Sequence, residues 1–351
     1  YLDYAGRILS LTNNYAYISF NFGPTLLSWL DNNHPEVVDS LREADRDSIN
    51  RLGHGNAIPQ GFNHTILPLD KEENARLQIA WGIEDFQYHF NRDPEGMWLP
   101  ECAVNETVID LLSQAGIKFI ILSPWQCNAV ENEEGKIIEL GSNPAPYREP
   151  YILTGKRGGE ITAFFYEPSL ASGISFGHYL RNADSLYSTL LDIKNRDKSP
   201  IIHTATDGEI YGHHEPYGDM ALAALIKKVN DGDDFIFDNY GSYMAKHPAT
   251  KHAVLRKGEE GKGTSWSCSH GVSRWYKDCG CHTGGDEGWN QKWRTGLRNA
   301  LNNLGDKIDA IFSREIDIIF KGQLSSQDLL IEAGNVFCGK VDMKRFISSL
   351  S

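Results

Sequence analysis

Three things are scarce in this 351-residue chain: cysteine, surplus positive charge and long apolar runs. Six cysteines over such a length do not make the dense disulfide framework of a small secreted domain, so reduced thiols are expected. Lysine and arginine number 34 against 47 aspartates and glutamates, a formal charge of −13 with no basic stripe, which argues against nucleic acid or an anionic membrane as partner. The most strongly apolar stretch, around residues 119–122, is far too short to span a bilayer. The opening Tyr1-Leu2-Asp3-Tyr4 has neither a basic patch leading into an apolar run nor a small-residue cleavage site. These absences point to a cytoplasmic protein with a neutral ligand and no cofactor. Oligomeric state leaves no trace in the sequence.

What is present is the composition of a folded protein, 40% apolar and 11% aromatic, long enough to bury about three quarters of its surface. No internal repeat or low-complexity segment interrupts it. Apolar runs at 16–20, 96–99, 117–122, 161–166, 201–205 and 235–237 read as strands, and the stretches 24–30, 71–90, 106–115, 183–194 and 217–230 read as helices. Short strands alternating with helices predict an α/β fold on a parallel sheet, open or closed into a barrel. Residues 258–288 are rich in Gly, Ser and Cys and read as a long loop. Beyond them Trp289, Trp293, Leu297, Ala300, Leu301 and Leu304 recur at helical spacing, followed by Ile308, Ile311 and Phe312, a stripe expected to pack a helix into the core. The chain therefore divides into 1–257, 258–288 and a helical region 289–351.

In a parallel α/β protein the chemistry sits where strands end. Gly96-Met97-Trp98-Leu99-Pro100-Glu101 runs a short apolar strand into a single carboxylate. The strand at 201–205 empties into Asp207, Glu209, His213 and His214. A lone carboxylate is ordinarily a solvated surface charge. Two of them facing one cavity from different strands are the equipment for glycosidic bond cleavage, one attacking the anomeric carbon and the other protonating the leaving oxygen.

These residues resemble glycoside hydrolase family 57. Gly96 with Trp98-Leu99-Pro100-Glu101 resembles the family's nucleophile motif, and Asp207-Gly208-Glu209-Ile210-Tyr211-Gly212-His213 its acid/base motif. Asn21, Pro24, Leu26 and Leu27 match an early Asn-x-x-Pro-x-Leu-Leu segment, and His64-Thr65-Ile66-Leu67-Pro68-Leu69 a His-x-Ile-Leu-Pro-Leu segment. The matches run in order over roughly the first 215 residues. The resemblance implies an irregular (β/α)7 barrel followed by a helical region, acting on α-glucan oligo- or polysaccharides by a retaining mechanism, as hydrolase or 4-α-glucanotransferase. It makes Glu101 the nucleophile and Asp207 the acid/base, with His64, Trp98, Glu209, His213 and His214 lining the site. The plain alternative for His64 is a core imidazole bonded to a backbone carbonyl, and for Glu209 a helix cap.

Two departures stand out. The family's first strand, with its His-x-x-x-x-Pro-like segment, has no counterpart ahead of Ser19. Where amylase-like members carry two tryptophans after Gly-His, this chain has His214 and Glu215, so the subsite wall should differ.

The 258–288 stretch resembles a Ser-Trp-Ser-Cys-x-His-Gly loop of one branch of the same family. The favoured reading is a lid over the barrel mouth in which Trp266 and Trp275 meet sugar faces and His270 and Arg274 bond hydroxyls. The alternative is zinc held by Cys268, Cys279, Cys281 and either His270 or His282, although Cys-x-Cys is tighter than the usual spacing. Two other function classes remain beside the glycosidase. Thr206-Asp207-Gly208 resembles the strand-end Asp of metal-dependent polysaccharide deacetylases, for which His64 supplies only half of the required histidine pair. A non-catalytic carbohydrate-binding protein on a decayed barrel is the other.

Overall fold

The computed structural model describes residues 6–8, 11–281 and 284–350; Tyr1-Leu2-Asp3-Tyr4 and His282 lie outside the described residues. Proline at the first position opens both α1 (Pro24–Asn33) and α2 (Pro35–Leu52), where the missing N–H has no helical partner to lose. After α3 (Glu72–Phe90) come the short β1 (Gly96–Met97), α4 (Glu106–Gln114) capped by the Asn105 side chain, and β2 (Phe119–Leu122). Then follow β3 (Cys127–Glu131), β4 (Ile137–Glu139), β5 (Tyr151–Thr154) and β6 (Glu160–Phe165). Four helices, α5 (Pro168–Ser175), α6 (Ala183–Asp197), α7 (Gly218–Asp231) and α8 (Tyr240–Lys246), lead to β7 (Lys251–Leu255). The C-terminal region is helical: α9 (Trp293–Phe320), α10 (Ser326–Phe337) and α11 (Met343–Ser349).

The strands form one sheet in the order β1-β2-β6-β5-β7-β3-β4. One end of it is the parallel run β1-β2-β6. From β1 the parallel row continues by single bridges, Gln60 to Trp98 and Phe20 to Ala57, and beyond β6 the Glu167 N–H donates to His203 O at 2.9 Å. This is an irregular (β/α)7-type barrel in which β2 and β6 pair over four residues and the neighbouring staves touch over one or two. The remaining strands widen the sheet by mostly antiparallel pairing. At Gly96 an added Cβ would stand 2.2 Å from the Phe119 ring, so the close β1–β2 approach admits only glycine. Met97, Leu99, Ile109, Leu112, Ile120 and Leu122 are fully buried between this sheet and α4, each contributing about 1.5–3 kcal/mol.

Several sequence expectations need correction. The strand expected at 16–20 starts as a 3-10 turn, Asn14–Ala16, and pairs only at Phe20. The stretches 201–205 and 235–237 carry no ladder. Side chains take part of their backbone instead: Arg51 donates to Ala16 O at 2.6 Å and to Phe237 O at 3.0 Å, and Ser199 Oγ to Ile201 O at 2.5 Å. Sequence reading missed α2, α5, α8, the bridge segment at 57–60 and the strands β3, β4, β5 and β7.

The stripe on α9 is the largest reversal. Trp289, Trp293, Leu297, Leu301, Leu304, Ile308 and Ile311 are 50–71% exposed, while Ile316 on the same helix is buried. The helix meets the barrel through polar groups: Lys71 pairs with Asp306 and Asp309 at 2.6 Å, and Arg298 donates to Leu69 O. Periodicity says that a face is apolar, not that this chain covers it. The helix that does pack on the barrel is α10, where Trp81 meets the Phe337 ring at 5.1 Å and donates to Leu330 O at 2.8 Å.

Candidate active site

Glu101 follows β1 by way of Trp98-Leu99-Pro100, and its backbone is unusual. Glu101 (φ 59°) and Cys102 (φ 49°) are consecutive non-glycine residues in the left-handed region, a conformation costing about 1–2 kcal/mol each. Three contacts hold the turn. The Trp266 N–H donates to Glu101 O at 3.0 Å, Gln126 Nε2 donates to Cys102 O at 2.7 Å, and Val104 bridges Thr264. Cys102 is wholly buried, which anchors the turn in the core. Strain that is over-determined in this way is typical of sites where a side chain must be aimed.

The aimed side chain is a carboxylate with both hydrogen bonds on one oxygen. Trp266 Nε1 donates to Glu101 Oε2 at 3.1 Å and Ser267 Oγ donates to the same atom at 2.6 Å. Among the described residues both of these donors fall on Oε2 and none on Oε1. The Trp266 ring lies edge-on to Trp98 at 5.0 Å and near Tyr166 at 6.4 Å, so an aromatic wall stands beside the carboxylate.

Asp207 begins a tight loop. The Glu209 carbonyl accepts from His213 N and His214 N, at 3.2 and 2.9 Å, and Tyr211 and Thr206 hydroxyls meet at 3.1 Å. Glu215 closes the loop from beneath: it is buried, accepting from Arg181 Nε at 2.8 Å and paired with His178. Where amylase-like members carry the second tryptophan this chain thus has a buried carboxylate held by two exposed side chains, Arg181 and His178.

Asp207 itself lies at an open rim, yet its pKa is held above the ordinary aspartate value. Loss of water to the surrounding walls is the first cause; the charges of Glu101 and Glu209 add to it, and His214 and His64 oppose it. The buried Cys102 thiol is likewise pushed well up, chiefly by burial and then by the charges of Glu101 and Asp207. Both charges are thus felt at the same buried thiol.

The remaining predicted residues divide. His64 is exposed with φ 55°, which removes the core-imidazole alternative. His213 and His214 are exposed, their rings edge-on with centroids 4.8 Å apart, with His214 Nε2 3.3 Å from Glu209 Oε2; Glu209 caps no helix. His270 turns toward three thiols, and Trp275 is half-buried against Ile66, Ala103 and Val272 with the Arg274 guanidinium 5.8 Å from its ring. From the 258–288 loop, Trp266 and Ser267 are the residues that reach Glu101. Among the described residues the one group able to converge on a metal is Cys268, His270, Cys279 and Cys281; Asp207 and His64 belong to no such group.

Ser267 and Gln126 were missed as site residues. Ser267 lies 166 residues from Glu101, beyond any sequence spacing. Gln126 had a local signal, the Ser123-x-x-Gln126 capping box, which fixes the side chain that also reaches Cys102 O.

The model of glycosyl hydrolase family 57 matches residues 2–252. The chain belongs to this family. A second model, a domain of unknown function (DUF3536), matches residues 289–345. Among curated relatives, alpha-amylase 1 of Dictyoglomus thermophilum is 25% identical over 220 residues, 61% of this chain and 29% of that protein. The 4-alpha-glucanotransferase of Thermococcus litoralis is 24% identical over 235 residues, 65% of this chain and 32% of the relative. The family 57 chain thus spans about a third of the length of these curated relatives. The structure of an exo-type maltose-forming amylase from Pyrococcus sp. ST04 aligns with a TM-score of 0.66 at 12% identity, over 93% of this chain and 56% of that one, a likeness of fold. Among the described residues no helix is long and apolar enough to cross a membrane.

Proposed function

We propose that this family 57 chain acts on α-linked glucans by a retaining mechanism, with Glu101 as nucleophile and Asp207 as acid/base. The observation that carries the reading is the asymmetry of the two carboxylates beside Cys102. Glu101 has one oxygen tied by two donors, whereas Asp207 is shifted toward its protonated form. A nucleophile must be ionised and aimed; an acid must hold a proton near neutral pH.

In the first step Glu101 Oε1 bonds to the anomeric carbon as the bond to the leaving oxygen breaks, and the Asp207 carboxyl gives that oxygen its proton. In the second, Asp207, now a carboxylate, takes a proton from the incoming hydroxyl. That oxygen attacks the anomeric carbon from the face the leaving group vacated and releases Glu101. Trp98 and Trp266 offer apolar walls to the ring, and His64, Glu209, His213 and His214 supply hydroxyl partners at the rim. Water as the incoming hydroxyl would make the second step a hydrolysis and a sugar hydroxyl a transfer; the similar proteins include an alpha-amylase and a 4-alpha-glucanotransferase.

Incubation with maltooligosaccharides tests this. The first-formed product, read by proton NMR, should carry the α-configuration. A ladder of longer and shorter chains would assign transfer to a sugar, and simple shortening would assign hydrolysis. A β-configured first product would refute the retaining assignment.

A further inference from the structure

We propose that Cys268, His270, Cys279 and Cys281 bind one zinc ion, and that this ion fixes the loop presenting Trp266 and Ser267 to Glu101. Four ligand atoms from these residues lie within 4.8 Å of one another. Cys268 Sγ stands 3.9 Å from Cys279 Sγ and 3.9 Å from Cys281 Sγ. His270 Nδ1 is 3.9 Å from Cys268 Sγ and 3.4 Å from Cys281 Sγ. A tetrahedral zinc with metal–sulfur bonds of about 2.3 Å and a metal–nitrogen bond of about 2.0–2.1 Å places its ligands at edges of about 3.8 Å between sulfurs and about 3.6 Å between sulfur and nitrogen. Four of the six edges, at 3.4–3.9 Å, are close to that size, and all six lie within 4.8 Å. The sulfur–sulfur distances are far longer than the disulfide bond of about 2.05 Å, and all the cysteines are free thiols.

The local backbone is made for the purpose. Gly271, at φ 75°, turns the chain just after His270 and donates to Cys268 O at 3.1 Å; a Cβ there would meet Gly263 O at 2.5 Å. Gly280, at φ 77°, lets Cys279 and Cys281 point the same way despite their single-residue spacing. Cys268 is buried and the other three are half-buried, so the pocket is walled yet reachable. Three protein thiols and one imidazole complete a four-coordinate shell, leaving no open position for substrate or water, which makes the ion structural. Binding Zn²⁺ to three thiols and a neutral imidazole releases three protons and involves no redox change.

The role follows from chain order. Trp266 and Ser267 immediately precede Cys268, and they supply both donors on Glu101 Oε2 as well as the backbone N–H on Glu101 O. Cys268 is the anchor nearest the carboxylate. Without it the segment would be held at this end by the Thr264 bridge and by Ser265 Oγ on Gly271 O at 2.7 Å. The binding claim stands on the cage alone; the positioning claim rests on the nucleophile assigned above.

The test is metal analysis of the intact chain purified under reducing conditions and supplied with Zn²⁺. We expect one zinc per chain and three thiols that become reactive only after chelation. Replacement by Co²⁺ should give the spectrum of a tetrahedral thiolate site. Cys281→Ser should lower the bound metal to below about a tenth, and Cys338→Ala should leave it unchanged. Hydrogen exchange reads the second half without assaying activity: on metal removal the Trp266 amide should exchange at least about tenfold faster while β2 amides stay protected. No bound metal in the supplied protein, or Cys268 joined to Cys279 or Cys281 in a disulfide, would overturn the site. An unchanged Trp266 amide in metal-free protein would overturn its positioning role, and a folded, metal-replete chain without glycosidase activity would count against the reading of Glu101 only.

Discussion

The segments that present Glu101 and Asp207 are built in opposite ways. Glu101 stands in a left-handed turn whose strain is held by Gln126 and Thr264 and by the backbone of Trp266, with one carboxylate oxygen tied down. Asp207 opens a loop braced internally, through Glu209 and Glu215, and its carboxylate faces water with two acidic neighbours. Fixing is what a covalent nucleophile needs, since a misplacement of about 1 Å can cost about 10²-fold in rate. Titration is what an acid/base needs, and at Asp207 loss of water comes first in raising the pKa, with the charges of Glu101 and Glu209 adding to it.

The comparison breaks most sharply at Glu101. Glu101→Gln should lower turnover by about 10⁴-fold or more on every substrate, measured by reducing-sugar release, because no other group is placed to form the covalent intermediate. Asp207→Asn should lose about 10²–10⁴-fold on natural glucans and much less on aryl glycosides with good leaving groups, which need little protonation. Equal losses on both substrate types would mean that Asp207 does not act as the acid.

Ser267→Ala removes a hydrogen bond to a charged group, and should lower kcat about tenfold with little change in KM. Ser267→Thr should restore most of it. A change in KM alone would make Ser267 a sugar contact and not a positioning residue.

The smallest effect concerns stability. The folded-state pKa of Asp207 is raised, so the folded chain binds that proton more tightly than the unfolded one. Stability is therefore lost as pH rises from the ordinary aspartate range through the raised folded value. Asp207→Asn escapes this loss: its Tm should exceed the wild type at neutral pH, with the difference vanishing in acid. A variant less stable than wild type at neutral pH would deny the electrostatic burden on Asp207.

Much of this was readable from sequence where local chemistry sets structure. The helices at 24, 106 and 183 announce themselves by proline or asparagine at their starts, the helix at 72 by the glutamates of its first turn, Glu72 and Glu73, and all by their apolar faces. Glu101 and Asp207 are singled out by their motifs, and only at Glu101 does a strand, β1, lead into the motif residue. α2 was hidden by its charge, although Val38, Leu41, Ala44 and Ser48 form its buried face between Pro35 and Gly53. The segment at 57–60 is too short to be told from a loop by composition, whereas 16–20 and 201–205 read as strands yet pair over a single residue each, at Phe20 and His203. Ser267 and the thiol cage belong to the same class. Their residue types could be read, but their convergence on Glu101 and on one another is a product of tertiary folding. The α9 stripe shows the converse, a clear pattern whose apolar face the described residues leave exposed.

The most direct test of the central claim is to trap the intermediate. The Asp207→Asn variant, treated with an activated α-glucosyl fluoride, forms the glycosyl-enzyme without needing an acid and lacks the base to release it quickly. Peptide mass mapping should then find one hexose per chain, esterified to Glu101. A hexose on another carboxylate, or steady turnover with inverted product and no adduct, would contradict the account.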